Sequence, residues 1–310
     1  MAGDRVLVTG GSGFIGTHLV RALRERGDRV VVADLVPMRE PHEDVEYVAG
    51  DLLDERVRAA ACGDGVAAVY HLAARTSVLQ SIQDPAGVTE NNAVLTGRLL
   101  ESARAAGATR FVMASTNAVV GDVGEDVITT AIAPRPLTPY GSTKAAAEML
   151  MSAYTACYDM RCCALRLTNV YGPAMTMKDS IVARIMRAAL TGTGMPVYGD
   201  GTQRRDYVHV HDVAKAFVTA AADGLAGPNI VGLGASYSVL AVLELAREVT
   251  GAPLPAEHTP AKKGEMPAVV VDVTDSTRLG VAGTIGLRDG LVSVWADFQE
   301  RSARGESLGP

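Results

Sequence analysis

The chain has 310 residues, 48% hydrophobic and 21% charged, an ordinary balance for a folded protein with room for one large α/β domain or two interlocked lobes. A formal net charge of -6 argues against nucleic acid or an anionic membrane surface as the main partner. No apolar run is long enough to span a bilayer, and Met1-Ala-Gly-Asp-Arg5 leads straight into a strand, so neither anchor nor signal peptide is predicted and a cytoplasmic location is expected.

Arg5 to Thr9 is a short β-branched, apolar run that reads as a buried strand. It breaks at Gly10, and Gly13 and Gly16 follow at three-residue spacing. From Phe14 and Ile15 onward, apolar residues recur at helical spacing until Gly27 supplies a stop. Strand, glycine turn and helix N-terminus make an anion site, since the free amides face a phosphate and glycines let the backbone approach it. A lone glycine triplet also serves ordinary tight turns, so context has to decide. A second apolar strand, Arg29 to Ala33, ends in Asp34. An acid there accepts both ribose hydroxyls of an adenosine and repels a 2′-phosphate, which favours NAD over NADP.

A third strand near Val45 to Ala49 leads into Gly50-Asp51-Leu52 and a helix from about Asp54. Asp51 fits two roles equally well, an acceptor for an adenine amino group or a cap for that helix. Ala67 to His71 is a fourth strand, and the small residues of Leu72-Ala73-Ala74 let a cofactor pass close to the backbone at its carboxyl end. His71 alone reads as structural rather than catalytic. Thr89 to Gly107 reads as one long helix, and Arg110 to Ala114 as a fifth strand delivering Ser115, Thr116 and Asn117 to the same edge. A polar loop runs to about Thr138, a helix starts near Pro139, and Cys162 to Leu167 is a sixth strand. Strands alternating with helices imply a doubly wound parallel sheet.

Past Asn169 the pattern loosens: a helix from Ser180 to Leu190, an irregular stretch from Pro196 to Asp206, a helix from His211, a strand from Asn229 and a helix capped by Ser238. The expected organisation is an α/β Rossmann domain over residues 1–168 and 206–233, with a smaller discontinuous substrate-binding lobe over 169–205 and 234–310. Cys62, Cys157, Cys162 and Cys163 have neither metal-ligand nor disulfide spacing, so no metal is expected and small buried hydrophobes are the reading.

Tyr140-Gly-Ser-Thr-Lys144 opens a helix, and four-residue spacing puts phenol and ammonium on one face. A free phenol, with a pKa of about 10, is a poor base at neutral pH. A nearby ammonium favours the phenolate, and such a tyrosine removes a hydroxyl proton as hydride leaves the same carbon. An isolated Y-x-x-x-K is by default a surface pair; the glycine turn and the Ser/Thr-bearing fifth strand upstream favour the catalytic reading.

T-G-G-S-G-F-I-G, Asp34, G-D-L-L-D, H-L-A-A, A-S-T-N-A-V-V-G and Y-G-S-T-K together resemble the extended short-chain dehydrogenase/reductase family. Arg166-Leu-Thr-Asn169-Val-Tyr-Gly-Pro173 and the stretch from Gly199 through Arg205 to His209 are similar to its nucleotide-sugar branch, the epimerases and dehydratases. The likeness runs to about Trp295. It implies an NAD enzyme in which Gly10, Gly13, Phe14, Ile15, Gly16, Asp34, Asp51, Leu52, Leu72, Ala73 and Ala74 line the cofactor. It gives Thr116 the reacting sugar hydroxyl, with Ser115 beside it, makes Tyr140 the base, and sets Lys144 on the nicotinamide ribose. Asn169 and Arg205 match positions that hold a nucleotide diphosphate, with uridine favoured, and Asn92 matches an asparagine bracing the active-site strands. Lys262 stands where a second phosphate-binding arginine is usual; lysine keeps the charge without the planar fork. Leu95 and Val120 replace a usual glycine and tyrosine. The resemblance also implies a homodimer pairing the helices 89–107 and 139–158, with which Ala145-Ala146-Ala147 is compatible.

Residues after Thr116 separate the branches. The 4,6-dehydratases of the family carry Thr-Asp-Glu, and its decarboxylases a glutamate at the second position; here Thr116-Asn117-Ala118 offers no acid. What remains is reversible oxidation, so the expected reaction is 4-epimerisation of a UDP-hexose or UDP-hexuronate. A dehydratase or decarboxylase with its acid elsewhere, and a non-catalytic NAD-binding regulator, are the alternatives. For a uronate carboxylate, Lys178 and Thr176 are candidates. Val269 matches the residue that gates the sugar's C2 substituent, and its small size predicts tolerance of an N-acetyl group; a slip by one or two positions lands on another valine.

Overall fold

The computed structural model describes residues 3–260 and 268–309, in two compact units: Met1–Asp122, Thr130–Leu167 and Ala214–Ile230 form the first, and Val123–Thr129, Thr168–Val213 and Val231–Pro310 the second. Elements follow in the order β1 (Arg5–Thr9), α1 (Phe14–Glu25), β2 (Arg29–Asp34), β3 (Glu46–Ala49), α2 (Glu55–Cys62), β4 (Val66–His71), α3 (Val78–Gln83), α4 (Pro85–Thr89), α5 (Leu95–Ala105) and β5 (Arg110–Thr116). After these come β6 (Val127–Ile128), α6 (Pro139–Cys157), β7 (Arg161–Leu167), β8 (Asn169–Tyr171), α7 (Ile181–Thr191), β9 (Met195–Tyr198), β10 (Arg204–His209), α8 (Val210–Ala222) and β11 (Gly227–Val231). The chain closes with β12 (Ser236–Ser238), α9 (Val239–Thr250), β13 (Ala256–Thr259), β14 (Val270–Val271), α10 (Thr274–Arg278) and α11 (Leu287–Ala303).

The first unit is the expected Rossmann-like sheet, in the order β11-β7-β5-β4-β1-β2-β3. β1 pairs in parallel with both β2 and β4, and the reversal of strand order on either side of it puts the ends of β1 and β4 at the crevice where such sheets bind ligands. Alternation along the strands builds two cores. Leu7, Val31, Val69, Phe111, Met113, Cys162 and Ala164 pack with Leu95, Leu99, Leu100, Ala147 and Met151, which come from α5 and α6. The Tyr70 ring meets Phe217 of α8 at 6.5 Å, edge to face. Deleting the fully buried Leu100 side chain would cost about 2–5 kcal/mol, because the void has nothing to fill it.

Three local expectations are corrected. The helix foreseen over Thr89–Gly107 is not regular: Glu90–Val94 forms a π-helical turn between α4 and α5. There the Asn92 side chain takes the Arg75 N–H and donates to the Arg75 carbonyl, anchoring the turn to the segment after β4. The stretch from Pro196 to Asp206, expected to be irregular, contributes to β9 and β10, short strands whose signal is drowned by flanking glycines. Ala145 and Ala147 are buried at 5% and 0% exposure, so they pack inside the unit; the large apolar residues α6 exposes are Met149 and Leu150.

Within the second unit, β10 pairs in parallel with β8 and antiparallel with β12, while β9 pairs with β13 and β6 with β14. Its core draws on α7 (Val182, Ile185, Met186), α9 (Val242, Leu243) and α11 (Leu291, Val294, Phe298). Asp206, fully buried, accepts from the Thr168 hydroxyl at 2.8 Å and the Leu233 and Gly234 amides at 2.9 and 2.7 Å, tying β10 to the chain ahead of β12. Among the described residues, no helix is long and apolar enough to cross a membrane.

Candidate active site

The glycine turn joins β1 to α1. Gly10 has a φ of +70°, and a Cβ there would sit 2.7 Å from the Ala73 amide nitrogen, so only glycine lets the strand ends of β1 and β4 lie this close. Gly13 is the N-cap of α1 and carries no side-chain cap, which leaves the first-turn amides without an intrahelical or capping partner. A Cβ at Gly13 would meet only the Gly10 carbonyl, at 3.2 Å, so the outer side of the turn is open to a phosphate. Asp34 holds the turn in place, accepting from the Ser12 amide at 3.0 Å and the Val36 amide at 3.3 Å. These features fit a dinucleotide. Asp51 accepts from the Leu53 amide in a local turn, and Asp54 caps α2 by accepting from Arg56. Leu52 is buried, while Leu72, Ala73 and Ala74 are half-buried at the end of β4.

The catalytic candidates lie one strand further along. Thr138 caps α6 by accepting from the Gly141 amide, with Pro139 at the first helical position, and this fixes Tyr140 in the first turn. Thr116, the last residue of β5, accepts from the Ala118 amide at 3.2 Å, and its side chain is near enough to act on the Tyr140 phenol. Burial pushes that phenol up to about 12, and the nearby Thr116 side chain pulls the other way. The help expected from Lys144 is not among the influences on it. Lys144, one turn on, is 3% exposed, and burial holds its ammonium down to about 8 against the field of Glu148, which raises it.

Glu148 was not singled out from the sequence, although its spacing of four after Lys144 was the available signal. It accepts from Arg166 of β7 through two guanidinium nitrogens, the shorter contact being 2.7 Å, and the two side chains are 9% and 3% exposed. Ser115 donates its hydroxyl proton to the same carboxylate. The structure therefore brings Thr116 and Tyr140 together, and commits Ser115 to Glu148.

In the second unit, Asn169 is exposed at the start of β8 and Arg205 is half-buried on β10, where one guanidinium nitrogen donates to the Arg204 carbonyl. Val269 is only 3% exposed, its amide bonded to the Arg204 carbonyl, and Val270 is the one partly accessible valine of the three. Thr176 is fully buried, whereas Lys178 is exposed. Lys262 lies outside the described residues.

A parallel sheet with an open glycine turn, an acid at the end of β2 and a Thr-Tyr-Lys set beyond it defines a dinucleotide-dependent enzyme that acts on a hydroxyl-bearing carbon. The sequence model of the NAD dependent epimerase/dehydratase family matches residues 6–234, and the chain belongs to that family; it is an enzyme with NAD as its cofactor. A UDP-glucose 4-epimerase of Mycolicibacterium smegmatis is 32% identical over 311 residues, covering 96% of this chain and 99% of the relative. The crystal structure of a UDP-glucose 4-epimerase with UDP-glucose from Thermotoga maritima superposes with a TM-score of 0.91 at 29% identity, over 96% of this chain and 99% of that one. MoeE5 in complex with UDP-glucose and NAD gives a TM-score of 0.88 at 36% identity, over 97% and 100%.

Proposed function

We propose that this protein is a 4-epimerase of a uridine-diphosphate sugar, a hexose or hexuronate, working by reversible oxidation at C4. The observation that carries the reading is the placing of Thr116 at the end of β5, near the Tyr140 phenol in the first turn of α6, followed by Asn117 and Ala118, which supply no acid. The nearest alternative carboxylate on α6, Glu148, is engaged by Arg166 and Ser115 and is not placed to protonate a leaving hydroxyl. That favours epimerisation over loss of water or carbon dioxide.

NAD, when bound, supplies the reversible hydride acceptor. Thr116 holds the C4 hydroxyl, and Tyr140 takes its proton and later returns it. A phenol set at about 12 by its own surroundings returns that proton readily and needs nearby positive charge to release it, which is the part proposed for Lys144. Asp34 selects NAD over NADP. In this reading the first unit carries the cofactor and the chemistry, while Asn169, Arg205 and Lys262 hold the nucleotide diphosphate. The reaction is assigned to the cytoplasm.

A homodimer belongs to the same proposal. Met149 of α6 is 64% exposed, and Leu79 and Ile82 of α3 are 62% and 59% exposed, an apolar set that a second copy would cover. Light scattering at micromolar protein should give twice the chain mass; a monomeric mass removes the dimer. For the reaction, the protein is incubated with UDP-glucose, UDP-galactose, UDP-N-acetylglucosamine, UDP-glucuronate and dTDP-glucose, and the products are separated by chromatography. A C4 epimer of unchanged mass with no net NADH is expected. A product lighter by water or carbon dioxide, or NADH formed in step with product, overturns the reading.

A further inference from the structure

His71 is the last residue of β4, 1% exposed, and nothing in the chemistry above uses it. Both of its ring nitrogens are engaged: Nδ1 lies 2.8 Å from the Thr9 hydroxyl and Nε2 lies 3.0 Å from the Thr96 hydroxyl. Counting protons assigns every bond. Thr96 has one hydroxyl proton and spends it on the Asn92 carbonyl, which can only accept. Towards His71 the Thr96 oxygen is therefore the acceptor, and Nε2 must carry the ring proton. In the neutral ring Nδ1 is then the acceptor, taking the Thr9 hydroxyl proton, and Thr9 in turn accepts from the Ala73 amide at 3.3 Å.

The chain continues on the far side. Asn92 sits in the π-helical turn, and its side-chain amide donates to the Thr143 hydroxyl at 3.1 Å; Thr143 donates to the carbonyl of Tyr140 at 2.8 Å. Two directional runs of bonds thus meet at Asn92, one from the Ala73 amide to the Asn92 backbone carbonyl and one from the Asn92 side chain to the backbone of Tyr140. Burial and the Lys144 charge keep the imidazole neutral, pushing it down to about 3. The Phe111 ring, 5.8 Å away, closes one side. Because each hydroxyl in the two runs is spent, the ring has no free site from which to pass a proton to substrate.

We propose that His71 is a positioning residue: locked as the neutral Nε2–H tautomer, it ties the cofactor-side ends of β1 and β4 to the turn that fixes Tyr140. The inference rests on the reading of Tyr140 as the base, but not on which sugar reacts.

Imidazole nitrogen NMR on the NAD-loaded wild-type protein, with the His71 signals assigned by their loss in His71→Gln, tests the tautomer directly. The expected result is a protonated Nε2 and a bare Nδ1, unchanged from about pH 5 to about pH 9. A protonated Nδ1, or a titration in that range, overturns the proposal. His71→Leu leaves the Thr9 proton and the Thr96 oxygen without partners, and should weaken NAD binding and slow turnover about tenfold or more. Glutamine can present a carbonyl oxygen to Thr9 and an amide N–H to Thr96, so His71→Gln should recover most of both losses and keep the wild-type pH profile. Wild-type NAD affinity and turnover in a folded His71→Leu protein overturn the positioning role, and so does a His71→Gln protein that has lost a limb of the pH profile. Should His71→Leu fail to fold, the NMR result on the wild-type protein decides. NAD binding and NMR need no sugar, so they fail independently of the epimerase reading.

Discussion

The candidate residues of the two units differ in how far they are withdrawn from solvent. In the first, Lys144, Glu148, Arg166, Ser115, His71 and Asn92 are withdrawn from solvent and linked side chain to side chain. In the second, Asn169 is exposed and Arg205 half-buried. The contrast follows from the tasks. Proton transfer needs a geometry fixed before substrate arrives, whereas a diphosphate must be reached by cations that are open to solvent. Substitutions in the first unit should therefore act on turnover, and those in the second on substrate affinity.

The largest expected effect is that of Tyr140→Phe, which removes the base and should lower kcat by about two to four orders of magnitude while leaving NAD affinity near wild type. An active Tyr140→Phe protein would revive the idea of a non-catalytic regulator or place the base elsewhere. Next comes Glu148→Gln, which leaves Arg166 and Lys144 as two buried cations without their counter-charge. Breaking a pair this buried should cost about 3–5 kcal/mol in chemical denaturation. Glu148 raises the Lys144 pKa, so without it the ammonium loses its proton below about 8, and the alkaline limb of kcat should move to lower pH. A limb that stays in place would mean that Lys144 does not set it.

Arg205→Ala tests the other side of the contrast: KM should rise about tenfold to a hundredfold, the worth of a charge-assisted hydrogen bond, with kcat little changed. An equal fall in kcat would show that the second unit also shapes the reacting geometry. Smallest is Val269→Tyr, expected to lower the preference for N-acetylhexosamine nucleotides over plain hexose nucleotides by severalfold. Because Val269 is packed at 3% exposure, a stable variant with unchanged selectivity would remove the gate from this position.

Several features were legible in the sequence because they are local. The strand–glycine–helix opening, the acid at the end of β2 and the Tyr140–Lys144 pair each depend on spacing within one or two elements, and apolar alternation with glycine breaks reports that spacing directly. The absence of an acid after Thr116 is likewise a property of three consecutive residues. What sequence could not reveal were pairings between distant positions: Glu148 with Arg166, eighteen apart, and His71 with Thr9, sixty-two apart. The π-helical turn at Asn92 was hidden for the same reason, since the bonds that anchor it reach back to Arg75. Even the burial of Ala145 and Ala147 depended on which face of α6 the sheet takes. Periodicity fixes what lies along a helix or strand, but which side chains meet is decided only when those elements pack. A buried polar group must then find its partner, however far away in sequence that partner lies.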